Sequence, residues 1–322
     1  MAFISVVSGT FNEEGNVEEL YERVKRVFLE RLPDDSFEMI VIDNASTDGT
    51  VAVLKRMAET DARLKIIVNN RNFGHIRSPV HAILQARGEA VIALASDLQD
   101  PPELIPELVA KWTQGYSIVA GVKPQSIEAS LMAVARRLYY RMVGAIADVE
   151  LIRNFTGFGL YDRTVIEIVR RLDDPYPYFR GIISELGFRV AQIPYTQRPR
   201  LRGITKNRFY ALYDLAMLGI TSHSKVPIRL ATMAGFALSL LSFAISLSYL
   251  VLKLMYWDRF EFGTAPILIG LFFFSSVQLF FIGLLGEYVA AIHTQVLRRP
   301  LVIERERVNF EEVQESGGSP PR

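Results

Sequence analysis

Short apolar, β-branched runs alternate with amphipathic stretches over about the first 120 residues. Ile4–Ser8, Met39–Asp43, Leu64–Val68, Ala90–Ala95 and Ser117–Ala120 are too short for helices and predict buried strands. Between them, Gly15–Leu32, Thr50–Glu59, Ile76–Arg87 and Glu103–Gln114 space their apolar residues three and four apart and predict helices. Strand–helix alternation of this kind implies an α/β unit: a mostly parallel sheet covered by helices on both faces. In such sheets ligands bind outside the carboxyl ends of the strands, so the polar residues that follow each apolar run are the ones to inspect.

Beyond the alternating part the pattern changes. Residues 126–150 predict a helix with Arg136, Arg137 and Arg141 on it, and Phe188–Tyr195 a further strand region. Phe209–Ser222 has helical spacing and reads equally as an interfacial helix or as a surface helix of the domain. Two long apolar segments follow. Pro227–Leu254 carries only Arg229 and Lys253, and Ala265–Ala291 carries only Glu287. Each exceeds the ~20 residues needed to cross a hydrocarbon core, which predicts a transmembrane hairpin over 226–297. The joining loop, Tyr256–Gly263, is nearly balanced in charge. The flanks are basic: Arg202, Lys206, Arg208 and Lys225 before the first span, Arg298, Arg299, Arg305 and Arg307 after the second. The positive-inside rule then places both termini and the domain at 1–225 on the cytoplasmic side, as in a bacterial inner membrane protein. Residues 298–322 read as a cytoplasmic tail, disordered from Glu311 on.

Composition sharpens this division. Hydrophobic residues make up 50% of the 322 positions, mean hydropathy is +0.19, and the apolar surplus lies after about residue 225. The net charge of +1 gives no global field for nucleic acid. The absence of cysteine excludes disulfides, thiolate metal sites and cysteine nucleophiles. The first residues, Met1-Ala2-Phe3-Ile4-Ser5, lack the charged start and long apolar run of a signal peptide.

Three polar segments open from predicted strand ends: Thr10-Phe11-Asn12-Glu13-Glu14, Asp43-Asn44-Ala45-Ser46-Thr47-Asp48-Gly49, and Ser96-Asp97-Leu98-Gln99-Asp100-Pro101-Pro102-Glu103. Each alone also reads as a helix start or a capped turn. In this order, however, they resemble family 2 glycosyltransferases with the GT-A fold. The likeness is greatest to the polyisoprenyl-phosphate branch, the dolichol-phosphate mannose synthase and bactoprenol glucosyltransferase type. It runs from about residue 3 to residue 300.

The resemblance implies a nucleotide-sugar donor (UDP- or GDP-linked), a polyisoprenyl phosphate acceptor, membrane lipids as surroundings and assembly into homo-oligomers through the spans. By it, Thr10, Phe11 and Glu13 lie against the base and ribose, and Asp43 accepts a hydrogen bond from the nucleoside. Asp97 and Gln99 hold Mg²⁺ or Mn²⁺ on the diphosphate, whose developing charge a hard cation stabilises. The segment Arg198-Pro199-Arg200-Leu201-Arg202-Gly203-Ile204-Thr205-Lys206 resembles a family segment whose Arg and Lys contact donor or lipid phosphate; Arg200 and Lys206 match them in position, and Arg202 between them is a further candidate for lipid phosphate. The same stretch also reads as a polybasic patch for anionic lipid. Arg136 and Arg180 are further candidates for acceptor phosphate. Asp100 and Glu185 are the carboxylates to suspect, beside Asp97, if a catalytic base is needed.

The chain departs from the family in four places. Ala95 stands where an acid is usual before Asp97, Asn44 replaces a common second aspartate, and Gly9 replaces a proline. Gly157 and Gly159 occupy the positions of an acid often assigned to catalysis and an arginine. These losses set up a rival expectation, a degenerate transferase that only binds; a polysaccharide synthase is a third, disfavoured by the lack of a Gln-x-x-Arg-Trp segment. Activity is the preferred expectation on chemical grounds. A phosphate monoester has a second pKa near ~6 and is largely a dianionic nucleophile at neutral pH. It needs no general base, only positioning and charge stabilisation.

Overall fold

The computed structural model describes residues 1–123, 152, 154–196, 226–255 and 264–310. Arg136, Arg200, Arg202, Lys206 and the helices expected at 126–150 and 209–222 lie outside the described residues. The described chain forms two units, one made of the sheet and its helices together with the segment from Arg298 onward, the other containing the two long apolar helices.

The sheet has eight strands: β1 (Phe3–Thr10), β2 (Ser36–Asp43), β3 (Leu64–Asn69), β4 (Ala90–Ala95), β5 (Ile118–Val122), β6 (Phe155–Asp162), β7 (Val190–Pro194) and β8 (Glu304–Val308). Their order is β7-β5-β6-β4-β1-β2-β3-β8. The centre, β4-β1-β2-β3, is parallel, as the alternation predicts, while β6 and β8 run antiparallel to their neighbours. Helices α1 (Val17–Arg31), α2 (Thr50–Thr60), α3 (Gly74–Gln85), α4 (Ile105–Thr113, after a 3-10 turn at Pro102–Leu104), α5 (Arg163–Leu172) and α6 (Phe179–Glu185) belong to the same unit.

Side chains alternate across each strand, and in the central strands both faces are apolar. Ile4, Val6, Met39, Val41, Ile66, Val68, Ile92 and Leu94 share one core with Leu20 and Val24 of α1, Leu54 of α2 and Leu108 of α4. Their neighbours Val7, Ile40, Ile42, Ile67 and Val91 share a second core with Ile83 of α3, Val165 of α5 and Ile183 of α6. Burying one Val, Ile or Leu side chain stabilises by about 1.5–3 kcal/mol. A charge at Ile92, which is fully buried at the centre of the sheet, would therefore cost more than a single deletion elsewhere. Glu38, a deeply buried acid on β2, is satisfied by Ser5 Oγ (2.6 Å), Arg87 N (2.9 Å) and Lys65 Nζ (2.6 Å).

Two strands were not expected from the pattern. β6 contains Gly157 and Gly159. A Cβ on Gly159 would lie 2.4 Å from the Val119 carbonyl oxygen, so this close approach to β5 requires glycine. Gly157 has φ +99°, which other residues rarely adopt. β8 lies within the expected tail. Its Glu-Arg-Glu-Arg-Val sequence pairs with β3 and caps that edge, with Glu306 bound to Lys55 at 2.6 Å. Arg307, expected as part of a basic flank, bonds to Glu304.

Helices α7 (Val226–Met255) and α8 (Thr264–Leu297) form where the two apolar segments were predicted. Their large apolar side chains stay exposed, Phe243 at 67% and Phe280 at 69% among them. Among the described residues, Phe273–Leu297 is the stretch long and apolar enough to cross a membrane, and Leu230–Ile245 is a shorter apolar stretch.

Candidate active site

Parallel pairing brings the three polar loops to one edge of the sheet. β1 lies between β2 and β4, and the register sets Thr10 beside Asp43 and Gly9 beside Ala95. Each loop then turns at a left-handed, non-glycine residue: Asn12 (φ 58°), Ala45 (φ 62°) and Leu98 (φ 61°). For Ala and Leu this conformation costs about 1–2 kcal/mol, which the surrounding bonds must offset.

Those bonds knit the first two loops together. Asn12 N donates to Ser46 Oγ (2.8 Å), and Asn12 Oδ1 accepts from Thr47 N (2.8 Å). Glu13 N donates to Thr50 Oγ1 (2.9 Å), and Gly49 N donates to Glu14 Oε2 (3.0 Å). Asp43 Oδ2 accepts from Ser46 N (2.9 Å). Asp48 closes the turn by accepting from Thr50 N (3.0 Å) at the start of α2. The capped-turn reading of this segment is therefore realised.

Asn44 explains its own departure from the family pattern. Its Nδ2 donates to Asn72 Oδ1 (2.9 Å) and to the Gly74 carbonyl (3.1 Å). Its Oδ1 accepts from Phe73 N (2.8 Å) and Asn69 Nδ2 (3.2 Å). An aspartate could fill only the accepting half, so the amide is what fastens the Asn69–Gly74 loop to β2. Sequence reasoning missed Asn69 and Asn72; the cluster Asn69-Asn70-Arg71-Asn72 was the available signal.

The third loop is braced differently. Ser96 Oγ donates to the Gly9 carbonyl (3.0 Å), and Gln99 N donates to Asp97 Oδ1 (3.2 Å). Asp100 is 5% exposed. Its Oδ2 accepts from Ala95 N (3.2 Å) and its Oδ1 from Tyr195 Oη (2.5 Å). Burial, with help from neighbouring Asp97, pushes the Asp100 carboxyl above its usual range despite these bonds. With both oxygens engaged, Asp100 is built as a brace between the loop after β4 and the end of β7. Glu185, the other suspected carboxylate, is exposed at the last position of α6, outside the three loops.

Two further polar atoms stand out at the junction of the first two loops. Thr10 Oγ1 and Asp43 Oδ1 are buried without a hydrogen-bond partner. Such groups are costly to leave unpaired, and side by side they suit a polar ligand with both a donor and an acceptor. Phe11 and Glu13 are half-buried beside them in the chain, and Glu13 Oε2 accepts from Asn16 Nδ2 (2.6 Å).

The comparisons with known proteins agree with this layout. The family model for glycosyl transferase family 2 matches residues 5–168, which contain all three loops. The chain belongs to glycosyltransferase family 2. This glycosyltransferase is 32% identical to the glycosyltransferase YkcC of Bacillus subtilis (strain 168) over 95% of its own length and 94% of that protein's. It is 31% identical to the SfII prophage-derived bactoprenol glucosyl transferase of Shigella flexneri over 93% of its length and 96% of that protein's. A mannosyltransferase of Pyrobaculum calidifontis, solved with GDP-Man and Mn²⁺, is 18% identical over 92% of this chain and 87% of that one, at a TM-score of 0.46.

Metal-binding residues were expected at Asp97 and Gln99. Among the described residues no three His, Asp or Glu side chains cluster as a ready-made metal site. Asp97, 9% exposed at the turn after β4, and half-buried Gln99 offer hard oxygen donors there. That set fits a cation of the Mg²⁺ type, which is held by one or two carboxylates together with substrate phosphates rather than by an all-protein cage.

Proposed function

We propose that this family 2 glycosyltransferase moves a sugar from a UDP- or GDP-linked donor to a polyprenyl phosphate at a membrane surface, inverting the anomeric centre. The observation that carries the acceptor class is the likeness to the Shigella bactoprenol glucosyl transferase over 93% of this chain, the apolar helices included.

In this reading Thr10 and Asp43 take the polar edge of the nucleoside, with Phe11 and Glu13 against base and ribose. Asp97 and Gln99 would hold Mg²⁺ or Mn²⁺, which stabilises the departing diphosphate as a Lewis acid. The acceptor phosphate attacks as a dianion, so the chain's task is to place it. Arg180 supports this assignment. Its guanidinium lies 5.5 Å from the Tyr178 ring, and its hydrogen bond is to the Phe155 carbonyl at 3.5 Å. A Cβ on Gly157 would approach its Cγ to 4.0 Å. The missing acid at position 157 thus leaves the charge of Arg180 available for phosphate. Arg136, Arg200, Arg202 and Lys206 are the other proposed phosphate ligands.

A parity argument supports two membrane spans. β8 pairs with β3, so residues 304–308 lie on the same side of any membrane as the sheet. If α8 crosses, the chain must cross an even number of times between β7 and β8, and α7 is the partner span. The basic flanks then favour a cytoplasmic catalytic domain.

The test is transfer itself. Purified full-length protein is incubated with labelled nucleotide sugars, Mg²⁺ or Mn²⁺ and undecaprenyl phosphate. Label in an organic-extractable, acid-labile product is expected; a growing polymer, or no transfer from any donor, refutes the proposal.

A further inference from the structure

Three arginines gather around Phe73 and the segment that follows α8. Phe73 is 8% exposed. The Arg71 guanidinium lies 4.1 Å from its ring centroid and the Arg77 guanidinium 5.4 Å. Arg77 also donates to the Pro300 carbonyl, which brings Arg299, the preceding residue, to the same place. Arg77 Nε is buried without a hydrogen-bond partner. Arg71 bonds only to the Asn72 carbonyl (3.2 Å), and Arg299 has no hydrogen bond or ion pair among the described residues. Like charges at this spacing repel, and among the described residues no carboxylate bonds to any of the three. Burial, Arg71 and Arg299 together lower the Arg77 pKa.

Convergent guanidinium groups that bond no carboxylate among the described residues suit a phosphate, whose oxygens accept two parallel N–H bonds from one arginine. Beside the cluster, Arg298, Arg299 and Leu301 line a cavity of about 100 Å³ with apolar walls from Val80, Leu84 and Ile182. Asp173 and Asp174 also line it, and Asp174 accepts from Tyr176 N (2.9 Å). Arg299 is two residues beyond Leu297, the end of α8. At 3.8 Å per residue its Cα lies within about 8 Å of that end, at headgroup level if α8 spans a membrane.

We propose that Arg71, Arg77 and Arg299 form a binding site for a phosphate ester, filled by the headgroup of an anionic membrane phospholipid. The lipid source rests on the reading of α8 as a span; the phosphate chemistry does not.

The experiment uses the full-length chain in two arms. In nanodiscs of mixed phosphatidylcholine and phosphatidylglycerol, native mass spectrometry counts retained lipids. In phosphate-free detergent, calorimetry follows titration with inorganic phosphate. The wild type retains phosphatidylglycerol preferentially. Arg299→Gln, at an exposed and unbonded position, lowers that retention about fivefold, as does Arg77→Gln. Nucleotide-sugar binding in Arg299→Gln stays at the wild-type level, which separates loss of this site from misfolding and from failure of the transferase reading. If phosphatidylglycerol is not enriched but Arg299→Gln abolishes the heat of phosphate binding, the site stands with a soluble phosphate as its source. Lipid retention and phosphate titration both unchanged in the two variants would overturn the proposal.

Discussion

The loops after β2 and β4 open from the same edge of one sheet, yet they are held in different ways. The β2 loop is tied on both sides largely by hydroxyl and amide groups, Ser46, Thr47 and Thr50 to the first loop and Asn44 to the Asn69–Gly74 segment, while Asp43, Glu14 and Asp48 each accept from a backbone N–H. The β4 loop hangs on a buried carboxylate, Asp100, shared between Ala95 N and Tyr195 Oη. The hydroxyl and amide ties of the β2 loop do not titrate, which would suit recognition of an uncharged base and ribose. A carboxylate brace sets negative charge beside Asp97, where a cation and a diphosphate would meet.

Three substitutions probe this contrast. The largest effect is expected at Asp97. Asp97→Ala should lower sugar transfer by ~10²–10³-fold, the scale seen when a charge-stabilising group is removed from an active site. Radiometric assay of the lipid product checks it, and full activity in the variant would end the metal assignment. Next comes Asn44→Asp, which sets a carboxylate against Asn72 Oδ1 and the Gly74 carbonyl. Loss of both donated bonds should cost about 2 kcal/mol. That corresponds to a fall of roughly 4–8 °C in thermal midpoint for a unit of this size, read by scanning fluorimetry. An unchanged midpoint would mean that the amide network is dispensable.

The smallest effect concerns the brace. The folded Asp100 carboxyl titrates above its ordinary value of 3.8. As pH rises past that value the unfolded chain releases its proton first, so folding binds a proton and stability falls. Wild type should therefore lose stability relative to Asp100→Asn as pH climbs from about 4 towards neutrality, as read from denaturation midpoints of the two proteins. Parallel stability curves for the two proteins across that range would show that the carboxylate is not perturbed.

The central sheet was legible because parallel strands buried on both faces read as continuous apolar runs; β4 ends at the residues expected, and β2 ends at Asp43 as expected. Helix ends shifted by a residue or two, as with α3, which starts at Gly74 rather than Ile76. β6 was hidden by its glycines, whose selection is set by contacts with β5 that no local pattern reveals. β8 was hidden by charge. Glu304 to Arg307 look like a solvated flank, and they form a strand only because β3 offers them a free edge, where charged side chains are the usual covering. Thr10, Asp43 and Asp97 were marked by their place after strand ends together with the family resemblance of the three segments. The tie from Asp100 to Tyr195, 95 residues apart, was not, because hydrogen-bond partners at that separation leave no periodic trace.

The position of β8 also bears on how the molecule is made. The ribosome must synthesise both apolar helices before it reaches the strand that completes the sheet. Until then the outer edge of β3 is bare, a template for pairing with other chains. Maturation of the sheet is thereby deferred until the apolar hairpin has left the ribosome, so a nascent chain stalled after Leu297 would carry a sticky edge that the finished protein never shows.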